Sequence, residues 1–219
     1  MRRIIVLRPE PGASETVKRA RKRGLEAVSV PLFEIEPVTW SMPEGAFDGV
    51  LLTSANAVRQ AGPDLQKLRA LRAYTVGDAT AEAARDAGFD VAATGDDGVE
   101  RLLGSIEPEL KLIHLCGEDR KDAHDARQKI TPIVVYRSKG VDAPELGDLN
   151  DCVVLAHSPR AGSHLGELVT DRSNITIVAI SNAAADAVGD GWAAVAAADE
   201  PTDDAMLALA AELCNKPQP

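Results

Sequence analysis

The sequence predicts an α/β protein of parallel sheets, arranged as two similar units. Three observations carry this. Aliphatic runs of strand length alternate with segments that open at small polar residues, continue with helical periodicity and stop at glycine. The chain also repeats itself: "LLTSANAV" at 51–58 returns as "LAHSPRAG" at 155–162, an offset of 104 residues. The same offset, without a gap, pairs Ala57 with Ala161, Val76 with Ile180, Asp86 with Asp190, "VAA" at 91–93 with "VAA" at 195–197, and Leu103 with Leu207. A constant register over that distance, with matching strand and helix cues, is an internal duplication. Finally, hydrophobic residues make up 45% of the chain but aromatics only 3%, so the cores are built from Ala, Val, Leu and Ile.

Taken in order, "RIIVLRP" at 3–9 is a buried strand closed by Pro9. Ser14 stands where an N-cap belongs, ahead of a helix through "ETVKRARKRG" that ends at Gly24. "EAVSVPLFEIEPVTW" follows as a long extended segment. The first repeat reads as strand 48–53, helix from 55, strand 73–76, helix 79–87 stopped by Gly88, strand 90–93 and helix 97–105. "KLIHLCG" at 111–117, a helix through Gln128 and the extended "TPIVVYRSKG" then retrace the plan of residues 3–39, and the second repeat occupies 151–213. Each half is expected to be a parallel layer of about five strands with crossover helices on both faces. Ligands of such sheets bind beyond the carboxyl ends of the strands.

Lys and Arg number 24 against 34 Asp and Glu, a net charge of −10, which argues against nucleic acid or an anionic membrane as a general partner. No stretch approaches the roughly 20 apolar residues that span a bilayer, and "MRRIIVLRPEPG" has too short an apolar core for a signal peptide, so a cytoplasmic protein is expected. Cys116, Cys152 and Cys214 have neither metal-site nor redox spacing, and no disulfide is expected. His114, His124, His157 and His164 form no metal-binding motif, and no dinucleotide or Walker loop is present, so neither metal nor cofactor is predicted.

Ser54 and Ser158 each end a strand and precede a helix, where free N–H groups and the helix dipole attract anions. The same position suits a plain N-cap. Thr53 and Asn56 beside the first serine, and Arg160 beside the second, are further binding candidates. Neither serine lies in a G-x-S-x-G elbow, so His157 and His164 do not by themselves suggest a triad. Gly77 and Ser181, followed by Asn182, stand at strand ends before small residues that let backbone amides approach a ligand. Arg8, after the first strand, and Arg120, after "LCGED", are placed either to meet carboxylates by bidentate pairing or to sit at the surface. The cations of "VKRARKRG" fall at a helix C-terminus, away from the carboxyl edge, and read as a solvated face.

In order and spacing, "VLRP", "DGVLLTSANAV", "VGDATAEAARDAG", "LCGEDR", "VVYRS", "AHSPRAG", "AISNAAADAV" and "EPTDDAML" resemble the uroporphyrinogen-III synthase family over nearly the whole chain. The resemblance implies two flavodoxin-like parallel α/β domains joined by two extended linkers, with a cleft between them that closes on a ligand. It makes the domains discontinuous: 1–33 plus 141–219, an inserted 41–130, and linkers 34–40 and 131–140. Periodicity alone would give consecutive domains cut near residue 107. It further implies a cofactor-free monomer that cyclises hydroxymethylbilane to uroporphyrinogen III. Tyr136 of "VVYRS" is the implied acid, the bland alternative being a tyrosine that packs a hinge. Thr80, Gly117 and the loop residues already named are the implied substrate contacts. Ala184 stands where the second repeat would match Thr80. Two rivals stay open: a two-lobed cytoplasmic binding or sensor protein for a small anion, and a family member that has lost activity.

Overall fold

The computed structural model describes residues 2–96, 98–120 and 126–214. It divides into two compact units, Met1–Glu34 with Gly140–Pro219, and Ile35–Lys139.

In the first unit, β1 (Ile4–Val6), α1 (Gly12–Lys22) and β2 (Ala27–Ser29) precede a long excursion of the chain. After it come β9 (Val153–Ala156), α5 (Pro159–Leu168), β10 (Thr176–Ala179), α6 (Asn182–Ala187), β11 (Ala194–Ala197) and α7 (Asp203–Cys214). Among the described residues the sheet has five strands, in the order β11-β10-β9-β1-β2, and every pair is parallel. The alternation of a strand sends neighbouring residues to opposite faces. Ile5, Val154 and Ile177 join Leu165 of α5 and Val188 in one core layer. Ile4, Val6, Val153 and Leu155 join Val17 of α1 and Met206 of α7 in the other. Both faces are therefore covered, which is why these strands read as unbroken aliphatic runs.

The second unit contains β4 (Gly49–Leu52), α2 (Ala55–Gln60), a 3-10 turn (Pro63–Leu68), β5 (Arg72–Val76), α3 (Asp78–Asp86), β6 (Val91–Gly95), α4 (Val99–Ser105), β7 (Lys111–Gly117) and β8 (Lys129–Gly140). With β3 (Phe33–Pro37) at its edge, its sheet runs β3-β8-β7-β4-β5-β6. The Val38 N–H bonds the Val135 carbonyl and the Val141 N–H bonds the Leu32 carbonyl, so the two extended segments run antiparallel. Arg137 adds two bonds from Nε and Nη2 to Glu36 Oε2, at 3.0 and 2.8 Å. Val50, Leu52, Ile113 and Leu115 face α2 and α3, while Leu51, Tyr74 and Leu112 face Leu102 and Leu103 of α4.

The repeat is visible element by element: β4 and β9, α2 and α5, β5 and β10, α3 and α6, β6 and β11, α4 and α7 follow the same order. β7 lies beside β4 as β1 lies beside β9. The two sheets thus share one spatial plan, with the chain entering the second unit at a different strand.

Two local expectations fail. α1 begins at Gly12 rather than after Ser14, with Pro11 in the N-cap position, and the first-turn N–H of Ser14 is satisfied by Glu10 Oε2 at 3.0 Å. The carboxyl of Glu10 is desolvated, which raises it, but the hydrogen bonds from Ser14 and Ser29 prevail and hold it below its ordinary value. The expected helix through Gln128 is not helical at 118–120 or 126–128, and its middle, 121–125 with His124, lies outside the described residues. Gln128 instead turns inward and donates to the carbonyls of Leu103 and Glu107.

Candidate active site

Parallel sheets leave a crevice at the carboxyl ends of the strands where the order reverses. In the first unit that point lies between β1 and β9. Arg8 stands two residues past β1, and Ser158 and Ser181 stand two residues past β9 and β10. Each serine is an N-cap in extended conformation. Ser158 Oγ accepts the Ala161 N–H at 3.1 Å and Ser181 Oγ accepts the Ala184 N–H at 3.3 Å. Capping uses a lone pair and leaves each hydroxyl hydrogen available to donate. The Arg8 guanidinium packs on the start of α1, where a Cβ on Gly12 would come within 2.6 Å of its Nε and displace it.

Asp203, the first residue of α7, gathers the cations here. Its carboxylate accepts Thr16 Oγ1 at 2.8 and 3.0 Å, Arg19 Nη1 at 3.0 Å and His157 Nε2 at 3.0 Å, with Arg8 Nη1 at 3.7 Å. Burial pushes this carboxyl up, but the hydrogen bonds from His157 and Thr16 and the charges of His157 and Arg8 outweigh it, and the group sits below its ordinary value. The carboxylate that Arg8 approaches in this structure is thus one of the chain's own.

In the second unit the reversal lies between β7 and β4. Gly117, the buried last residue of β7, pairs with Tyr136 of β8 after a shift of register at Cys116. A Cβ on Gly117 would lie 2.7 Å from Tyr136 Cζ, so the ring rests on the glycine backbone. Tyr136 is half-buried against the core layer of β4 and α2. Thr53 Oγ1 lies 2.9 Å from Nε2 of the buried His114, and Ser54 Oγ caps α2 by accepting the Asn56 N–H at 3.2 Å. Gly77 has φ +79 at the N-cap of α3. Its N–H already donates to the Gly95 carbonyl at 2.8 Å, so the amide expected to meet a ligand is engaged. Thr80, in the first turn of α3, is buried.

Arg160 is exposed with its guanidinium 4.5 Å from the Phe33 ring centroid, Asn182 is exposed at the start of α6, and Arg120 is half-buried beyond β7. Cys116, Cys152 and Cys214 are buried and not joined in a disulfide. Burial pushes the thiols of Cys152 and Cys214 up, which keeps them unreactive. Sequence reading missed Asp203, the role of His157, and the Thr53–His114 contact. The acidic start of "PTDDAML" signals a helix N-terminus, but nothing local pairs it with a histidine 46 residues away.

A family model described as uroporphyrinogen-III synthase HemD matches residues 14–208. A curated uroporphyrinogen-III synthase from Chlorobaculum parvum is 34% identical over 92 residues, an alignment spanning 37% of this chain and 37% of that protein. In solved structures the fold is similar to uroporphyrinogen-III synthetase from Helicobacter pylori, with TM-score 0.70, 19% identity, and 97% of this chain and 100% of that one covered. It is also similar to a mutant uroporphyrinogen III synthase from Thermus thermophilus, with TM-score 0.53, 16% identity and 99% and 100% coverage. No helix among the described residues is long and apolar enough to cross a membrane.

Proposed function

The chain belongs to the uroporphyrinogen-III synthase family, and from that premise we propose that it cyclises hydroxymethylbilane to uroporphyrinogen III. The observation that carries the reading is the match over residues 14–208, which takes in the second unit's strand-order reversal and, in the first unit, β9, Ser158, Ser181 and Asp203. The substrate is a linear tetrapyrrole with eight carboxylates. Its hydroxyl takes a proton and leaves as water, and the resulting cation is attacked by the substituted carbon of the terminal ring. The spirocyclic product opens and recloses with that ring inverted. The pyrroles supply the electrons, so this chemistry calls on no cofactor.

What the protein adds is folding of the bilane, because closure without inversion is the easier path in free solution. Arg8, Arg120, Ser158 and Ser181 are the donors proposed for the carboxylates, with Thr53, Ser54, Asn56, Thr80, Gly117, Arg160 and Asn182 completing the set; Gly77, whose N–H is held by the Gly95 carbonyl, drops out as a donor. Tyr136 is the proposed donor to the leaving hydroxyl. In this reading the net charge of −10 suits a cationic intermediate better than a free polyanion.

The test is to incubate the purified protein with fresh hydroxymethylbilane and resolve the isomers. Mainly type III is expected. Type I alone, at the rate of buffer, would end the enzyme reading and leave a two-lobed binder of an anionic ligand.

A further inference from the structure

We propose that His157 is the proton-accepting base of this cyclisation, held in its accepting tautomer by Asp203. The proposal rests on the functional reading above and deepens it at the first unit's strand-order reversal.

Asp203 already accepts hydrogens from Thr16 and Arg19, with Arg8 nearby, and so acts purely as an acceptor. The imidazole nitrogen 3.0 Å from it, Nε2, must therefore carry hydrogen. In the neutral form of the ring, that leaves the lone pair on Nδ1. This atom is buried and has no hydrogen-bond partner among the described residues, and the two side chains are only 7% and 8% exposed. A desolvated lone pair, backed through the ring by a carboxylate that stabilises the imidazolium once formed, is the arrangement of a general base. It is also a costly one to leave unused in a folded core. The residue stands one position past β9, next to Ser158, where ligands of parallel sheets bind.

The reaction needs such a group. One proton is taken up when the hydroxyl departs as water. When the ring recloses, the free α-carbon of the terminal pyrrole gains a carbon bond while keeping its hydrogen, and the ring carries the positive charge. Transfer of that hydrogen to Nδ1 returns the C–H electron pair to the ring and restores the pyrrole. The imidazolium then releases its proton to solvent. One proton enters and one leaves, and the net loss is a single water.

The experiment compares wild type with His157→Gln, which keeps a side-chain N–H for Asp203, on hydroxymethylbilane bearing hydrogen or deuterium at that α-carbon. Formation of type III is expected to fall by about 10²-fold or more, and an isotope effect on kcat, absent from the wild type, should appear. Asp203→Asn should show the same isotope effect with a smaller fall. Unchanged turnover overturns the proposal, as does a fall without an isotope effect, which would make His157 a structural strut. An isotope effect that appears only in Tyr136→Phe gives the proton to the phenolate and overturns it as well. If the Gln variant melts below the assay temperature, His157→Ala is assayed with added imidazole, where restored turnover supports the base and none refutes it. A wild type that yields only type I refutes the functional reading itself, whereas a wild type that yields type III beside a silent His157 variant refutes this proposal alone.

Discussion

The contact between Gly117 and Tyr136 offers a perturbation whose size can be worked from distances. In Gly117→Ala the new Cβ would sit 2.7, 2.8 and 2.9 Å from Cζ, Cε2 and the hydroxyl oxygen of Tyr136. Carbon atoms settle at about 3.5–4.0 Å, so the ring must retreat by about 1 Å. Gly117 is buried and its backbone is not in the left-handed region, so the cost is overpacking rather than backbone strain. Overpacking of this kind costs about 1–3 kcal/mol. At roughly 2–4 °C per kcal/mol for a chain of this size, Tm should drop by about 2–12 °C. A displacement of about 1 Å at a positioned group also costs on the order of 10²-fold in rate, and turnover to type III should fall accordingly. The decisive measurement is the double-mutant cycle. In a Tyr136→Ala background the methyl meets no ring, and Gly117→Ala should then be nearly neutral in Tm, giving a coupling of about 1–3 kcal/mol. Equal losses of Tm in both backgrounds would refute the contact as the reason for the glycine.

Tyr136→Phe should lower kcat by more than about tenfold with little change in Tm, whereas normal turnover with a lower Tm would make it a packing residue. Ser158→Asp keeps the cap of α5 and should leave Tm near the wild-type value, while Ser158→Ala costs about 1 kcal/mol; if the serine meets a substrate carboxylate, the Asp variant raises KM. Asp203 has a folded-state pKa below its unfolded one, so its stabilisation is complete above about pH 4 and is lost as pH falls through the folded value. Asp203→Asn should therefore lower Tm at neutral pH, by the equivalent of about 3–5 kcal/mol for a broken buried pair, and flatten the decline below about pH 4. An acid limb identical to that of the wild type would show that this carboxyl does not control it.

The strands were legible because a strand buried on both faces must be aliphatic throughout, as "IIV", "GVLL" and "VVLA" are. The serine caps were legible because an N-cap is local: the side chain bonds an amide two or three residues away. Locality also explains the misreadings. Ser14 has the right chemistry for a cap, but the helix already starts at Gly12 and the N–H of Ser14 itself is taken by Glu10 from four residues upstream. "EDRKDAHDARQ" has helix-forming residues without an apolar stripe to bury, so propensity alone suggested a helix there. The groups of the candidate site that escaped notice are joined across the fold: Thr53 to His114 over 61 residues, Thr16 to Asp203 over 187. No periodicity in a sequence encodes such pairs.

The duplication sharpens what those pairs mean. Because β7 lies beside β4 as β1 lies beside β9, pairing Leu112 with Gly49 and Ile4 with Val153, Cys116 occupies the place in the second unit that Arg8 holds in the first. At the repeat offset Thr53 answers to His157, Thr80 to Ala184 and Val99 to Asp203. One backbone plan therefore carries two different sets of side chains at equivalent strand ends. The first unit gathers a buried carboxylate, an imidazole and three hydrogen-bonding or cationic partners, while the second gathers a phenol, hydroxyls and a glycine that makes room for a ring. Duplicated frames with unlike contents suit a reaction that treats one end of its substrate differently from the rest. A protein that merely gripped a polyanion would gain nothing from burying an aspartate among its cations, whereas one that must accept a proton near a cationic intermediate gains a base whose charged form is already neutralised.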